Sequence, residues 1–331
     1  MNILRAKITA SSHYLPERRV TNLELQQTVD TSDSWIVERT GIRERRVVAK
    51  GQATSDLAAE ATKLLLKKRG IDASEIDLII VATVTPDMMF PSTACLVQHK
   101  IGAKKAWGFD LSGACSGFVY ALATGAQFIS AGSHKKVLVI GADVMTSIID
   151  FNDRATCVLF GDGAGAVLLE PAAEEEVGVM DFLLRSDGSG GQYLYMPAGG
   201  SLNPPSVETV QKKMHYVHQD GKNVFRYAVR GMADISAEIL EKNSIPSKDI
   251  KLFIPHQANL RIIKAAVDRM KLDDSQVAIN IDRFANTTAG TIPICLSEAV
   301  ENKKILRGDK VLMATFGAGW TWGSLLLRWE Y

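Results

Sequence analysis

Two stretches of this chain repeat each other at a constant distance. SEIDLII, where Ile76 enters an apolar run, aligns with KDIKLFI around Ile250, 174 residues further on, and the same shift lays KVLVI from Lys136 on KVLMA from Lys310. It also superposes the helical patterns that precede the first run of each copy. One shift kept across helix, strand, helix and strand marks a duplicated unit. Buried-strand patterns at 76–84, 136–144, 157–170, 250–254 and 310–316 alternate with helical patterns at 55–69, 114–131, 224–242 and 292–302. That alternation predicts α/β architecture in two halves, 1–174 and 175–331, with a site at their junction.

Composition narrows what such a pair can do. With 46% apolar and 23% charged residues, the 331-residue chain reads as a packed globule rather than a disordered one. Met1 to Ala10 lacks the apolar core of a secretory signal and no later run approaches a membrane span, so a cytoplasmic protein with no membrane role is expected. A formal net charge of +1 gives no global field for nucleic acid, and an acidic partner must be met by a local cluster. Cys95, Cys115, Cys157 and Cys295 are too few and too scattered for a disulfide framework or a zinc knuckle. Each is judged alone.

Three segments can carry chemistry. In DLSGACSGF an apolar strand ends at Leu111, Ser112-Gly113 turns, and Cys115 opens a long small-residue helix. A helix N-terminus lowers thiol pKa and offers free N–H groups to an oxyanion. The competing reading is a small buried cysteine filling a crowded helix start. In KLFIPHQANLRI a strand ends at Pro255, His256 follows it, and Asn259 can cap the next helix. His256 is a candidate because α/β proteins place chemistry at the carboxyl ends of strands, against the alternative of a structural hydrogen-bonder. In ANTTAGTIP, Asn286 can be an ordinary turn residue. Under the repeat, however, it matches Ser112 beside the cysteine. Cys115 itself matches Ala289, and His256 matches Ala82, so each copy supplies what the other lacks. The glycines of FGDGAGA and FGAGW precede apolar runs rather than helices, which argues against a dinucleotide loop and for tight turns or close approach to a reacting centre.

With these segments in hand, the chain resembles the β-ketoacyl-acyl carrier protein synthase III family, condensing enzymes of the thiolase fold. The likeness runs through SDSWIVERTGIRER, TPDMMFPSTAC, DLSGACSGF, NDRATCVLFGDGAGA, GKNVF, PHQANLRI, ANTTAGTIP and FGAGWTWGS, essentially the whole chain. It implies a layered αβαβα fold and a catalytic triad of Cys115, His256 and Asn286, with backbone N–H groups of Cys115 and Ala318 as the oxyanion hole. It implies that Trp35 and Arg154 clamp the adenine of coenzyme A, with Thr31, Arg39, Phe225 and Asn259 also contacting the cofactor-like substrate. Phe90 resembles a residue that crosses a homodimer interface to close the partner's acyl pocket. Carrier-protein docking is implied for Gln257, Ala258, Asn259, Leu260 and Arg261, and Lys264 extends that basic face. Lys222 departs from the asparagine common at its position, and the stretch 199–220 is longer than in the commonest members.

The activity so implied is decarboxylative condensation of a short acyl-coenzyme A, such as acetyl-coenzyme A, with malonyl-acyl carrier protein to start type II fatty acid synthesis. No metal or redox cofactor is expected. Three rivals stand beside it. They are a related condensing enzyme of secondary metabolism, a Cys-His-Asn hydrolase of the papain kind, and a catalytically silent acyl-binding protein of the same fold.

Overall fold

The computed structural model describes residues 4–172 and 177–331, and the expected boundary between 174 and 175 lies outside the described residues. Nine strands build two sheets. Strands β1 (Ala6–Tyr14), β2 (Leu78–Ala82), β3 (Trp107–Leu111), β4 (Val137–Val144) and β5 (Asp162–Pro171) take the order β1-β5-β4-β2-β3. Strands β6 (Gly178–Ser186), β7 (Ile250–Pro255), β8 (Lys310–Gly317) and β9 (Thr321–Arg328) take the order β6-β9-β8-β7. The paths agree over four strands, β1-β5-β4-β2 matching β6-β9-β8-β7, and β3 extends the first sheet alone. The corresponding pairs β2 with β4 and β7 with β8 are parallel, and the next strand, β5 or β9, joins antiparallel.

Seven helices connect and cover them: α1 (Asp33–Thr40), α2 (Thr54–Arg69), α3 (Thr93–Ile101), α4 (Gly117–Ser130), α5 (Gly221–Lys242), α6 (Leu260–Met270) and α7 (Thr291–Glu301). The shift of the sequence repeat holds at individual residues. Single 3-10 turns at Ala73–Glu75 and Ser247–Asp249 introduce β2 and β7, and α4 and α7 begin at Gly117 and Thr291.

Successive strand residues face opposite ways, and that alternation sorts the core into layers. Leu78, Ile80 and Ala82 join Leu252, Ile254, Val311 and Met313 around α4 and α7 in the middle of the molecule. Ile79 and Val81 face the other way, under α2 and α3, while Phe253 and Leu312 lie under α5 and α6. The result is the expected αβαβα stack. Each fully buried Leu or Ile contributes roughly 1.5–3 kcal/mol to it.

The structure corrects two boundaries. The strand expected from Cys157 starts at Asp162, because the Asp153 carboxylate accepts the Ala155 N–H at 2.9 Å and closes a short helical turn over Arg154–Cys157. The helix expected from Ala114 is a 3-10 turn through Ser116 and becomes α-helical at Gly117. The glycines after Phe160 also serve differently. A Cβ on Gly165 would stand 2.7 Å from Pro293 Cβ and from the Ile294 nitrogen, so this position lets α7 lie directly on β5 rather than approach a reacting centre. Among the described residues no helix is long and apolar enough to cross a membrane.

Candidate active site

The turn between β3 and α4 delivers Cys115. Ala114 sits at φ 47°, a left-handed conformation that a side chain enters at some cost, and it has a counterpart in Thr288 at φ 51°, just before Ala289. The repeat therefore extends to a strained backbone. Bonds from the other half fix the turn: Thr315 Oγ1 donates to the Cys115 carbonyl at 2.9 Å, and Ser116 Oγ donates to the Thr321 carbonyl at 2.9 Å. Gly317 ends β8 against Cys115. A Cβ there would stand 2.9 Å from the Cys115 nitrogen, so only glycine leaves that N–H side open.

His256 follows β7, with its own N–H on the Ala314 carbonyl at 2.8 Å. Its Nδ1 lies 2.7 Å from Thr291 Oγ1, whereas Nε2 is buried without a partner. Asn286 is held by its backbone, which receives and returns bonds with Leu159 and Gly161. Its side-chain Oδ1 accepts the Thr288 N–H at 2.9 Å, a bond that does not engage the amide NH2.

These three residues, from three separate segments and both halves, line one cleft of about 480 Å³. The same cleft is lined by Trp35, Arg39, Phe225, Asn259, Arg261 and Lys222. From Cys115 an apolar branch of about 160 Å³ leads off between Met145, Ile148, Phe160, Met196, Val217 and Ala318. The end of the long 199–220 stretch comes to the cleft. Leu194–Tyr195 pairs antiparallel with His218–Gln219, and this ribbon borders both cavities.

Burial dominates the electrostatics. It pushes the Cys115 thiol up to about 12, with the nearby Asp143 carboxylate acting in the same direction. The expectation that the helix end lowers this pKa is thus overturned, and the resting sulfur is a thiol. Burial also pushes the His256 imidazole down to about 3, so that ring is neutral in the resting protein.

Asp143, on β4, was not legible as a site residue. One of its oxygens accepts from Thr83 Oγ1 at 3.0 Å, the Val84 N–H at 2.8 Å and Thr85 Oγ1 at 2.9 Å, and the other accepts the Ala289 N–H at 3.1 Å. Since Ala289 is the repeat counterpart of Cys115, the carboxylate occupies in the second half the backbone N–H that the first half keeps beside its nucleophile. Burial raises its pKa to about 6. Thr291 and Thr315 were also missed, because a single threonine at a helix or strand position carries no signal of what it will face.

The remaining candidates divide. The Arg154 guanidinium stands 5.2 Å over the Trp35 ring, with Arg39 6.0 Å from it, and Arg154 donates to the Asp30 carbonyl at 2.9 Å. The Thr31 hydroxyl is buried without a partner and does not line the cleft. Asn259 caps α6, accepting the Arg261 N–H and donating to the Arg39 carbonyl, both at 2.9 Å. Gln257 cannot offer its side chain to a docking protein: it is fully buried, donates to the Pro255 and Ala278 carbonyls and accepts the Asn280 N–H. Ala258 and Leu260 are half-buried, and Arg261 and Lys264 are exposed. Phe90 is 84% exposed on a loop with Met88 and Met89.

Comparison with known proteins agrees with this geometry. Residues 109–188 match the family model described as 3-oxoacyl-[acyl-carrier-protein (ACP)] synthase III, and residues 240–329 match its C-terminal counterpart. The chain is 57% identical over 331 residues, its whole length and 99% of the relative, to a β-ketoacyl-[acyl-carrier-protein] synthase III of Koribacter versatilis. Among solved structures, the Thermus thermophilus β-ketoacyl-[acyl carrier protein] synthase III shares 44% identity at a TM-score of 0.90, covering 98% of this chain and 99% of that one. The priming β-ketosynthase of the R1128 polyketide pathway shares 33% identity at 0.91, covering 98% and 96%.

Proposed function

From the premise that the chain belongs to the β-ketoacyl-[acyl-carrier-protein] synthase III family, acyltransferases that carry out the initiating condensation of fatty acid synthesis, we propose that Cys115, His256 and Asn286 perform that condensation here. One observation carries the assignment. The one cysteine lining the cleft shares it with an imidazole nitrogen that has no partner among the described residues and with the side chain of Asn286.

In this reading the sulfur of Cys115 attacks the acyl-coenzyme A thioester carbonyl. Charge gathers on the carbonyl oxygen, which meets the backbone N–H groups of Cys115 and Ala318 beside Gly317. The acyl–sulfur bond to coenzyme A breaks, and the proton of the Cys115 thiol ends on the departing coenzyme A sulfur. Malonyl-acyl carrier protein then enters the emptied cleft. Loss of carbon dioxide leaves the electron pair of the broken bond on an enolate, whose oxygen accepts hydrogen bonds from His256 and Asn286. The carbanion attacks the acyl-cysteine, the sulfur leaves and takes up a proton, and 3-oxoacyl-acyl carrier protein is released.

Coenzyme A fits the cleft mouth as a chain passing Phe225 and Lys222, with its adenine entering between Trp35 and Arg154 once the guanidinium swings off the ring. Thr31 and Arg39 flank that entrance, and Asn259 keeps one amide hydrogen for the ligand. The apolar branch sets the starter. A cavity of about 150 Å³ takes a benzene ring, so the branch at about 160 Å³ suits an acyl chain of about six carbons or fewer. Exposed Phe90 closes the branch of a second copy in a homodimer, and Arg261 with Lys264 receives the acidic carrier protein. The compartment is the cytoplasm. The polyketide reading is weaker, because the relatives at greater identity bear the name β-ketoacyl-[acyl-carrier-protein] synthase III.

Purified protein given acetyl-coenzyme A and malonyl-acyl carrier protein is expected to yield acetoacetyl-acyl carrier protein. His256→Ala and Asn286→Ala should spare acylation of Cys115 while lowering carbon dioxide release by on the order of 10²-fold, the cost of one lost oxyanion donor. Equal loss in both half-reactions would remove the enolate role.

A further inference from the structure

The buried His256 ring can meet the reacting centre in either of two neutral forms, and they do opposite chemistry. With the proton on Nε2 the ring donates toward the cleft, whereas with the proton on Nδ1 it presents a lone pair there. What faces Nδ1 decides between them. That neighbour is the hydroxyl of Thr291, the first residue of α7, itself 2% exposed. Its oxygen lies 2.7 Å from Nδ1 and 3.2 Å from the Thr288 carbonyl, and it has one proton to give. Hydrogen bonds donated by N–H groups to oxygen centre near 2.9–3.0 Å. The shorter contact to Nδ1 favours the direction in which the hydroxyl donates to the ring, leaving its longer approach to the Thr288 carbonyl the weaker one.

We infer that Thr291 is a positioning residue that donates its hydroxyl proton to Nδ1 of His256 and so holds the ring as the Nε2–H form, a neutral donor aimed at the enolate oxygen. The inference rests on the assignment of His256 to the condensation and adds what makes a neutral histidine competent for it. The surroundings agree. Nε2 has no partner among the described residues, which leaves an N–H there for a ligand. No carboxylate is hydrogen-bonded to the ring, and burial holds its pKa low, so donation does not depend on a positive charge. The placement follows from the repeat. Thr291 corresponds to Gly117 in the first half, where Ala82 stands in the place of histidine and there is no ring to orient.

Thr291→Val replaces the hydroxyl by a methyl group of nearly the same shape. Carbon dioxide release from malonyl-acyl carrier protein on preformed acyl-enzyme is expected to fall at least about tenfold, as for a weakened oxyanion donor. Acylation by acetyl-coenzyme A should stay within about twofold, and Thr291→Ser should restore the loss. Protein with ¹⁵N-labelled histidine, its six rings separated by comparison with His256→Ala, should show the Nε2–H pattern for His256, and Thr291→Val should lose it. An Nδ1–H ring in the unaltered protein, or full decarboxylation by Thr291→Val, overturns the inference and leaves the catalytic assignment standing. Undiminished decarboxylation by His256→Ala overturns the assignment itself.

Discussion

At the nucleophile two local effects compete. A cysteine at a helix start gains from the N–H groups there, and the sequence supports that much. Yet Cys115 lies on a 3-10 turn at 7% exposure, with the Asp143 carboxylate behind it, and desolvation wins. That carboxylate was not visible from the local motif, since Asp143 arrives on a different strand. The sign has a consequence. Below its pKa a thiol's reactive fraction grows about tenfold per pH unit, so alkylation of Cys115 by iodoacetamide in the free protein should climb steadily from pH 7 to pH 9. A plateau below pH 8 would show a thiol already activated at rest. His256 behaves oppositely to an ordinary histidine. Because its pKa is depressed to about 3, it stays neutral on both sides of pH 6.5 and adds no acid limb there.

The element that faces outward beside the cleft is α6. Ile262, Ile263, Ala266, Val267 and Met270 point into the core, while Arg261, Lys264, Asp268 and Arg269 point to solvent. This amphipathic split was legible from spacing. What spacing could not show is that Gln257, next to His256, turns inward to satisfy backbone groups, so the exposed part of the motif begins after it. Arg261 also stacks 4.7 Å over Phe225 at the cleft, which makes it a poor test of docking alone. Lys264 is the cleaner probe, exposed and outside the cleft lining. Lys264→Glu is expected to raise the KM for malonyl-acyl carrier protein several-fold at low salt, with the effect fading near 0.5 M salt as screening shortens to a few ångströms. Acylation by acyl-coenzyme A should not change. A salt-independent KM would move the carrier protein off this helix.

Across the whole molecule, the repeat found between Ile76 and Ile250 survives as four corresponding strands in each sheet, paired 3-10 turns and two strained residues, Ala114 and Thr288. It was legible because buried parallel strands demand continuous apolar runs, and those persist after other resemblance has faded. Cys115, His256 and Asn286 stood out as candidates at strand ends and turns, and the family resemblance supplied the roles proposed for them. Thr291, Thr315 and Asp143 could not, since their roles arise only when the halves are pressed together. The account stands on one covalent claim, that the first half of the duplicated fold carries the acyl group on Cys115 while the second half supplies the donors. Intact-mass measurement after incubation with acetyl-coenzyme A, followed by peptide mapping, tests it directly. A single acetyl adduct is expected on the peptide containing Cys115, absent from Cys115→Ala and retained by Cys157→Ala and Cys295→Ala. An adduct surviving Cys115→Ala, or none on the unaltered protein, would contradict the account.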